Sequence, residues 1–218
     1  MHMAENEING NELSGNDTAP VKSAKSPEKR SAIAEIYDWV ETFCIALCAV
    51  VLIFTFLCRF VTVDGHSMDY TLADKDRLII SDINYTPKTG DIVVVQDVNE
   101  PRFSGPIIKR VIATEGEIVD IDFDTWKVTV TDKDGNVTEL DETYVNFEEG
   151  RRMNQPNPLS YPHAVSYPHE VTKGCVFVMG DNRNNSLDSR YVGDIDSRMV
   201  LGKAYVRIFP FTTFGLLH

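Results

Sequence analysis

Seventeen consecutive residues without a charge, Thr42 to Cys58 (TFCIALCAVVLIFTFLC), constrain this 218-residue chain more than any other feature. As an α-helix rising about 1.5 Å per residue the run covers about 26 Å, close to the ~30 Å hydrocarbon core of a bilayer. Arg59 can snorkel outward, and Phe60, Val61 and Val63 prolong the apolar stretch. One spanning helix is expected from about Tyr37 to Phe60, making 31–60 an anchor. A cleavable signal peptide is the alternative. The run is long for such a segment and no small-x-small site comes after it, so a retained anchor is the better reading. Lys22, Lys25, Lys29 and Arg30 precede the span, whereas Arg59, Lys75 and Arg77 are the nearest cations after it. That bias places the N-terminus in the cytoplasm and the rest of a single-pass chain outside it. Residues 1–30 carry hardly any large apolar side chains and cannot offset their ordering entropy, so a disordered cytoplasmic tail is expected.

The formal net charge of −12 argues against nucleic acid as a partner. It also means that attachment to anionic lipid must come from apolar burial. Of the four cysteines, Cys44, Cys48 and Cys58 lie in or at the edge of the apolar run, leaving Cys175 alone in the remainder of the chain. A disulfide framework is thereby excluded for the later domain. Cys44 and Cys48 share a helix face and read as small apolar residues. No cluster suggests zinc, and no cofactor or metal is expected.

Residues 61–218 read as a β-rich domain. Strands are expected at 76–80, 91–95, 107–112, 117–121, 126–131, 137–140, 175–179 and 203–209, with Asp134-Gly135 as a hairpin turn. Residues 148–170 hold four prolines and few aliphatics, and read as a long loop or small insertion. Phe60, Phe209, Phe211 and Phe214 are read as ordinary core, with the membrane interface as the alternative.

Three stretches hold candidate chemistry. The first, Gly65-His66-Ser67-Met68-Asp69-Tyr70-Thr71-Leu72, begins about six residues past Arg59. Ser67 is then at most ~28 Å along an extended chain from the membrane end. A serine hydroxyl needs a base to take its proton. His66 is adjacent, but neighbours in an extended chain point to opposite faces. His163 and His169 lie in the Pro-rich stretch with no evident carboxylate nearby. Lys109, within Ile107-Ile108-Lys109-Arg110-Val111, is the better base, because burial disfavours an ammonium and lowers its pKa. On its own it would read as a surface lysine alternating out of a strand. The third stretch, Gly180-Asp181-Asn182-Arg183-Asn184-Asn185-Ser186-Leu187-Asp188-Ser189-Arg190, reads locally as a polar turn, or as the mutually satisfied support of a buried polar site.

Taken together, the three stretches resemble bacterial type I signal peptidase, the leader peptidase family that uses a Ser/Lys dyad. The nucleophile motif Gly-x-Ser-Met-x-Pro-Thr-Leu is matched at 65–72, the Lys-Arg-Val strand at 109–111, and the last signature at 180–190 with Asn184 in place of Asp. Ala204 to Phe211 also resembles the family's ending. The likeness covers roughly 60–215. It implies a mostly β catalytic domain, a coiled antiparallel sheet, after one N-terminal transmembrane helix. Ser67 would be the nucleophile, Lys109 the general base, and Ser186 a hydrogen-bond partner orienting the Lys109 amine. Asp181 would pair with Arg110 and Asp188 with Arg190. Met68 would line the site, and the Ser67 backbone N–H would take the oxyanion. Some members have a serine where this chain has Gly65, so any help there must come from backbone or water. Tyr70 stands where the motif has proline, leaving a freer backbone after the nucleophile. The implied function is removal of signal peptides from exported preproteins by a membrane-anchored serine endopeptidase acting as a monomer against membrane lipid. The alternatives are a divergent paralogue that processes pilins and a catalytically silent domain that binds exported proteins.

Overall fold

The computed structural model describes residues 32–56, 59–97 and 99–217. The expected tail at 1–30, and Cys58, lie outside the described residues. Helix α1 runs Ala32–Phe56. Its segment Ile33–Ile53 is long and apolar enough to cross a membrane. The helix stops short of Phe60, the end expected from the apolar run. Arg59–Thr62 is instead strand β1, hydrogen-bonded along β2 (Arg77–Ser81) with Arg59 opposite Ile80. The apolar residues after Cys58 are β-branched or aromatic, so hydropathy alone cannot separate the helix from the adjoining strand.

Ten further strands complete a mostly β chain in which every strand pair among the described residues is antiparallel: β3 (Ile92–Val95), β4 (Ile107–Thr114), β5 (Ile118–Ile121), β6 (Val128–Thr131), β7 (Val137–Glu139), β8 (His169–Glu170), β9 (Cys175–Met179), β10 (Ile195–Asp196), β11 (Val200–Phe209) and β12 (Gly215–Leu216). The larger sheet has the order β1-β2-β11-β3-β4-β9-β10, with β12 on β11; the smaller is β7-β6-β5-β8. Register shifts in β11 and β4 bend the larger sheet, as bulges do. Residues 148–168 contain no helix or strand. They are fastened to the smaller sheet by buried Met153, whose N–H donates to the Phe123 carbonyl.

The unbroken apolar sequence of β3, Ile-Val-Val-Val, has a direct cause. Ile92 and Val94 enter one core cluster with Val63, Met68, Leu72 and Ile108, while Val93 and Val95 enter another with Val111, Val176 and Val178. A strand buried on both faces loses the polar half of its alternation. Its neighbour β4 is as deeply buried yet carries Lys109 and Arg110 at its centre, each only 2 % exposed. These two residues are registered opposite Val93 and Ile92, and so face opposite sides of the sheet.

The core reading of the late aromatics is corrected by the structure. Phe60, Phe209, Phe211 and Phe214 are exposed by between 43 % and 81 %, along the edge formed by β1, the end of β11 and the turn before β12.

Candidate active site

The Ser67 segment is a compact turn rather than extended chain. Asp69 N–H donates to the His66 carbonyl, and the N–H groups of Thr71 and Leu72 both donate to the Met68 carbonyl. Met68 and Leu72, four residues apart, are essentially fully buried and root the turn in the core. Below it, Val63 and Asp76 close the loop through the bonds Val63 N–H to Asp76 carbonyl and Lys75 N–H to Val63 carbonyl. Gly65, at a φ of +100° that disfavours a side chain, directs its N–H to Asp74 Oδ1 at 2.9 Å. That donor is therefore occupied, whereas the Ser67 N–H makes no hydrogen bond among the described residues.

The turn changes the reason for setting His66 aside. His66 is exposed and its Nδ1 lies 3.2 Å from the Asp69 carboxylate. His169 does have a carboxylate that sequence proximity did not reveal, Asp194 at 2.8 Å. None of these histidines hydrogen-bonds Ser67. Lys109 does: its Nζ is 2.7 Å from Ser67 Oγ and 3.0 Å from the Ile108 carbonyl oxygen. Burial pushes the Lys109 pKa down from 10.5 to about 8, against the opposing pull of the Asp188 and Asp181 carboxylates and with Arg190 acting the same way as burial. Ser67 and Lys109 share a cleft of about 310 Å³ lined by 61–65, 67–68 and 104–109. Met68 is among the lining residues. The wall at Ser104-Gly105-Pro106 carried no recognisable signal in the sequence.

Two buried ion pairs frame the site. Asp181 receives Arg110 Nε at 2.9 Å and Nη2 at 2.8 Å. Asp188 receives Arg190 Nε and Nη2, both at 2.8 Å, and the Gly180 N–H at 3.0 Å. Burial alone would raise the Asp188 pKa, but the Arg190 guanidinium and these donors hold the carboxyl below its ordinary range. Fork-to-fork geometry of this kind keeps both charges in place.

The expected bond from Ser186 to Lys109 is absent. Ser186 is buried and lies close enough to Asp188 to help hold that carboxylate ionised, but its Oγ makes no hydrogen bond of ordinary geometry among the described residues. Its nearness to the Ser67 turn is permitted by Gly180. A Cβ at that position would overlap both Ser186 Oγ and the Ser67 carbonyl oxygen.

Several residues of the site were not singled out by sequence reasoning. Asn182 grips the turn twice, N–H to the Ser67 carbonyl at 3.0 Å and Nδ2 to the His66 carbonyl at 2.9 Å. Thr71 Oγ1 donates to Asp181 Oδ2 at 2.5 Å, so one carboxylate joins the Ser67 turn to the strand that carries Lys109. Arg183 is fully buried and pairs with Glu142. Asn182, Thr71 and Arg183 lie inside the quoted motifs, whereas Glu142 had no local signal. Tyr70, in the proline position, adopts a φ of +83° and is 78 % exposed. Among the described residues no group of His, Cys, Asp and Glu side chains is arranged to hold a metal ion.

The family model described as "Signal peptidase, peptidase S26" matches residues 36–209. Signal peptidase IB of Staphylococcus aureus (strain COL) is 31 % identical over 197 residues, covering 83 % of this chain and 93 % of that protein. Signal peptidase I of Bacillus licheniformis is 33 % identical over 191 residues, covering 86 % and 94 %. A crystal structure of a signal peptidase I from Enterococcus faecalis V583 aligns at 27 % identity over 55 % of this chain and 97 % of that one, with a TM-score of 0.41. With a family model matched across most of its length and relatives above 30 % identity nearly end to end, this chain belongs to the S26 signal peptidase family.

Proposed function

We propose that the chain is a membrane-anchored signal peptidase in which Ser67 is the nucleophile and Lys109 the general base. The observation that carries this reading is a lysine amine buried in strand β4, 2.7 Å from the Ser67 hydroxyl, with its pKa brought down to about 8. A neutral amine at that distance can take a proton, which an ordinary surface lysine cannot do near neutral pH. Neutral Lys109 removes the Ser67 proton as Oγ attacks the scissile carbonyl carbon of an exported preprotein. The Ser67 N–H receives the developing oxyanion. The Lys109 ammonium then returns its proton to the leaving amine of the mature protein. The signal peptide remains as an ester on Ser67. Water, deprotonated by Lys109, attacks that ester and releases the signal peptide as a carboxylate. No cofactor enters either step.

Helix α1 would anchor the chain with its N-terminus in the cytoplasm and the β domain outside. The exposed Phe60, Phe209, Phe211, Phe214 and Leu216 support contact between that domain's edge and lipid, since single soluble domains rarely leave so many large apolar side chains together in water. The enzyme would work as a monomer. The decisive experiment is cleavage of a purified preprotein by wild type, Ser67→Ala and Lys109→Ala. Wild type should release the mature protein and both variants should not. Cleavage by either variant at the wild-type rate removes the dyad, and an inert wild type returns the chain to the silent binding reading.

A further inference from the structure

The nucleophile turn is held from two sides, by the 180–190 stretch on one and by the C-terminal stretch 204–211 on the other. On the second side stands Arg207 of β11. Its Nη1 donates to the Thr71 carbonyl at 3.0 Å and to Asp76 Oδ2 at 3.1 Å, and its Nε donates to the Thr213 carbonyl at 2.7 Å. One guanidinium thus joins the end of the nucleophile turn, the loop-closing Asp76 and the turn before β12. Asp76 is 2 % exposed, and the same Oδ2 also accepts the Ala73 N–H. The register shift between Arg207 and Phe209 is a place where a bulge re-aims side chains, here toward the turn.

We infer that Arg207 is a positioning residue for Ser67, a strut that fixes the far end of the nucleophile turn against β11 through its three-way guanidinium contact. This rests on the reading of Ser67 as nucleophile. Asn182 and Asp181 restrain residues 66, 67 and 71 from the 180–190 side. Without a counter-restraint at the Thr71 carbonyl, the turn can rotate about those bonds and carry Oγ away from the Lys109 amine. Arg207 touches neither Lys109 nor the cleft, so its loss should change alignment and leave substrate binding and the proton affinity of the base alone. A lysine at 207 supplies the charge that Asp76 needs, but its single ammonium cannot span all three acceptors. An open depression of about 510 Å³ lined by 69–71, 73, 207 and 213 gives small cations access to the place.

The test measures preprotein cleavage by Arg207→Lys and Arg207→Ala beside Ser67→Ala. Arg207→Lys should fold normally and lose about tenfold or more in kcat, as expected for a small misplacement of reacting groups, while KM and the midpoint of the pH profile stay at wild-type values. Arg207→Ala should lose more, and millimolar methylguanidinium, but not methylammonium, should restore part of its rate. A wild-type kcat in Arg207→Lys, or a loss that equals the unfolded fraction seen by circular dichroism, overturns the proposal. If Arg207→Ala does not fold, Arg207→Lys alone decides. Cleavage by Ser67→Ala would instead sink the nucleophile reading, whatever Arg207 does.

Discussion

Lys109 and Arg110 are chain neighbours on β4, equally buried, and yet the two faces of the strand treat their cations in opposite ways. On the Arg110 side every direction of the guanidinium is answered. Asp181 takes two of its N–H groups, the Gly90 carbonyl takes Nη1 at 2.8 Å, and the ring of Tyr144 lies 3.7 Å from its Cζ. On the Lys109 side, among the described residues, the amine's hydrogen bonds go to neutral oxygens, those of Ser67 and Ile108. The nearest carboxylates are committed elsewhere, Asp181 to Arg110 and Asp188 to Arg190. Burial is therefore the same and the surroundings opposite. Arg110 is matched by a carboxylate in fork geometry and acts as a brace. The Lys109 amine is left among dipoles, and burial brings its pKa down to about 8, the property that the proposed base requires.

The largest effect should come from erasing this difference at position 109. A guanidinium there would be permanently charged, so Lys109→Arg should lower kcat/KM by about a thousandfold or more, within the usual range for losing a general base. In wild type, log kcat/KM should climb with unit slope as pH rises toward about 8, where the amine becomes neutral, and then level off. A pH–rate profile on both proteins checks this. A flat wild-type profile through that region would break the contrast between the two faces.

Next in size is the opposite operation at position 110. Arg110→Met strands the Asp181 carboxylate in the interior, which should destabilise the fold by about 3–5 kcal/mol. Adding Asp181→Leu should recover most of that loss, because the pair is then removed together. Urea unfolding of the two single variants and the double variant gives the coupling. If the single variant unfolds like wild type, Arg110 is not a brace.

How much of this is legible in sequence depends on the range of the interaction. Strands such as β3 and β9 announce themselves, because burial on both faces leaves apolar runs in consecutive residues. Strands of two residues, β8, β10 and β12, leave no pattern to read. Lys109 reads locally as a surface lysine, and only its joint occurrence with the other two stretches marks it. The polar contacts that hold the site are harder to see. Glu142 meets Arg183 across 41 positions and Asp76 meets Arg207 across 131, and pairing at such distances imposes no periodicity on sequence. The local conformation of the Ser67 segment is also hidden. An extended chain is the default for His66 to Leu72, but buried Met68 and Leu72 recur at a turn's spacing and the backbone bonds follow them.

Tyr70 offers a smaller test that links the two faces. Its φ of +83° lies where a bulky side chain is strained and where proline, fixed near −65°, cannot go. Tyr70→Pro would match the family motif, yet it should destabilise the turn by about 2 kcal/mol and pull Thr71 off Asp181. Tyr70→Gly should stabilise by about 1 kcal/mol, since glycine enters the left-handed region without strain. Thermal unfolding and preprotein cleavage of both variants check this. Full activity in Tyr70→Pro would mean that the brace at Asp181 does not reach the nucleophile.

The smallest expected effect sharpens the comparison most, because it predicts opposite signs for methionine at adjacent positions. Lys109 has a pKa of about 8 when folded and 10.5 ordinarily, so between those values the unfolded chain binds a proton that the folded chain does not. Stability therefore rises with pH through that window. Below about 8 both states are protonated, and the full penalty of burying the ammonium, about 3 kcal/mol, weighs on the fold. Lys109→Met removes the penalty but gives up contacts to Ser67 Oγ and the Ile108 carbonyl, worth about 1 kcal/mol each. The variant should be inactive and, at pH 6.5, more stable than wild type by about 1 kcal/mol in urea unfolding. Above about pH 10.5 the ammonium penalty is gone and only the lost contacts remain, so the sign should reverse. Methionine at 110 should destabilise at every pH, because there the cation is already matched. If methionine destabilises at 109 as well, even at pH 6.5, then Lys109 is held as a satisfied charge like its neighbour.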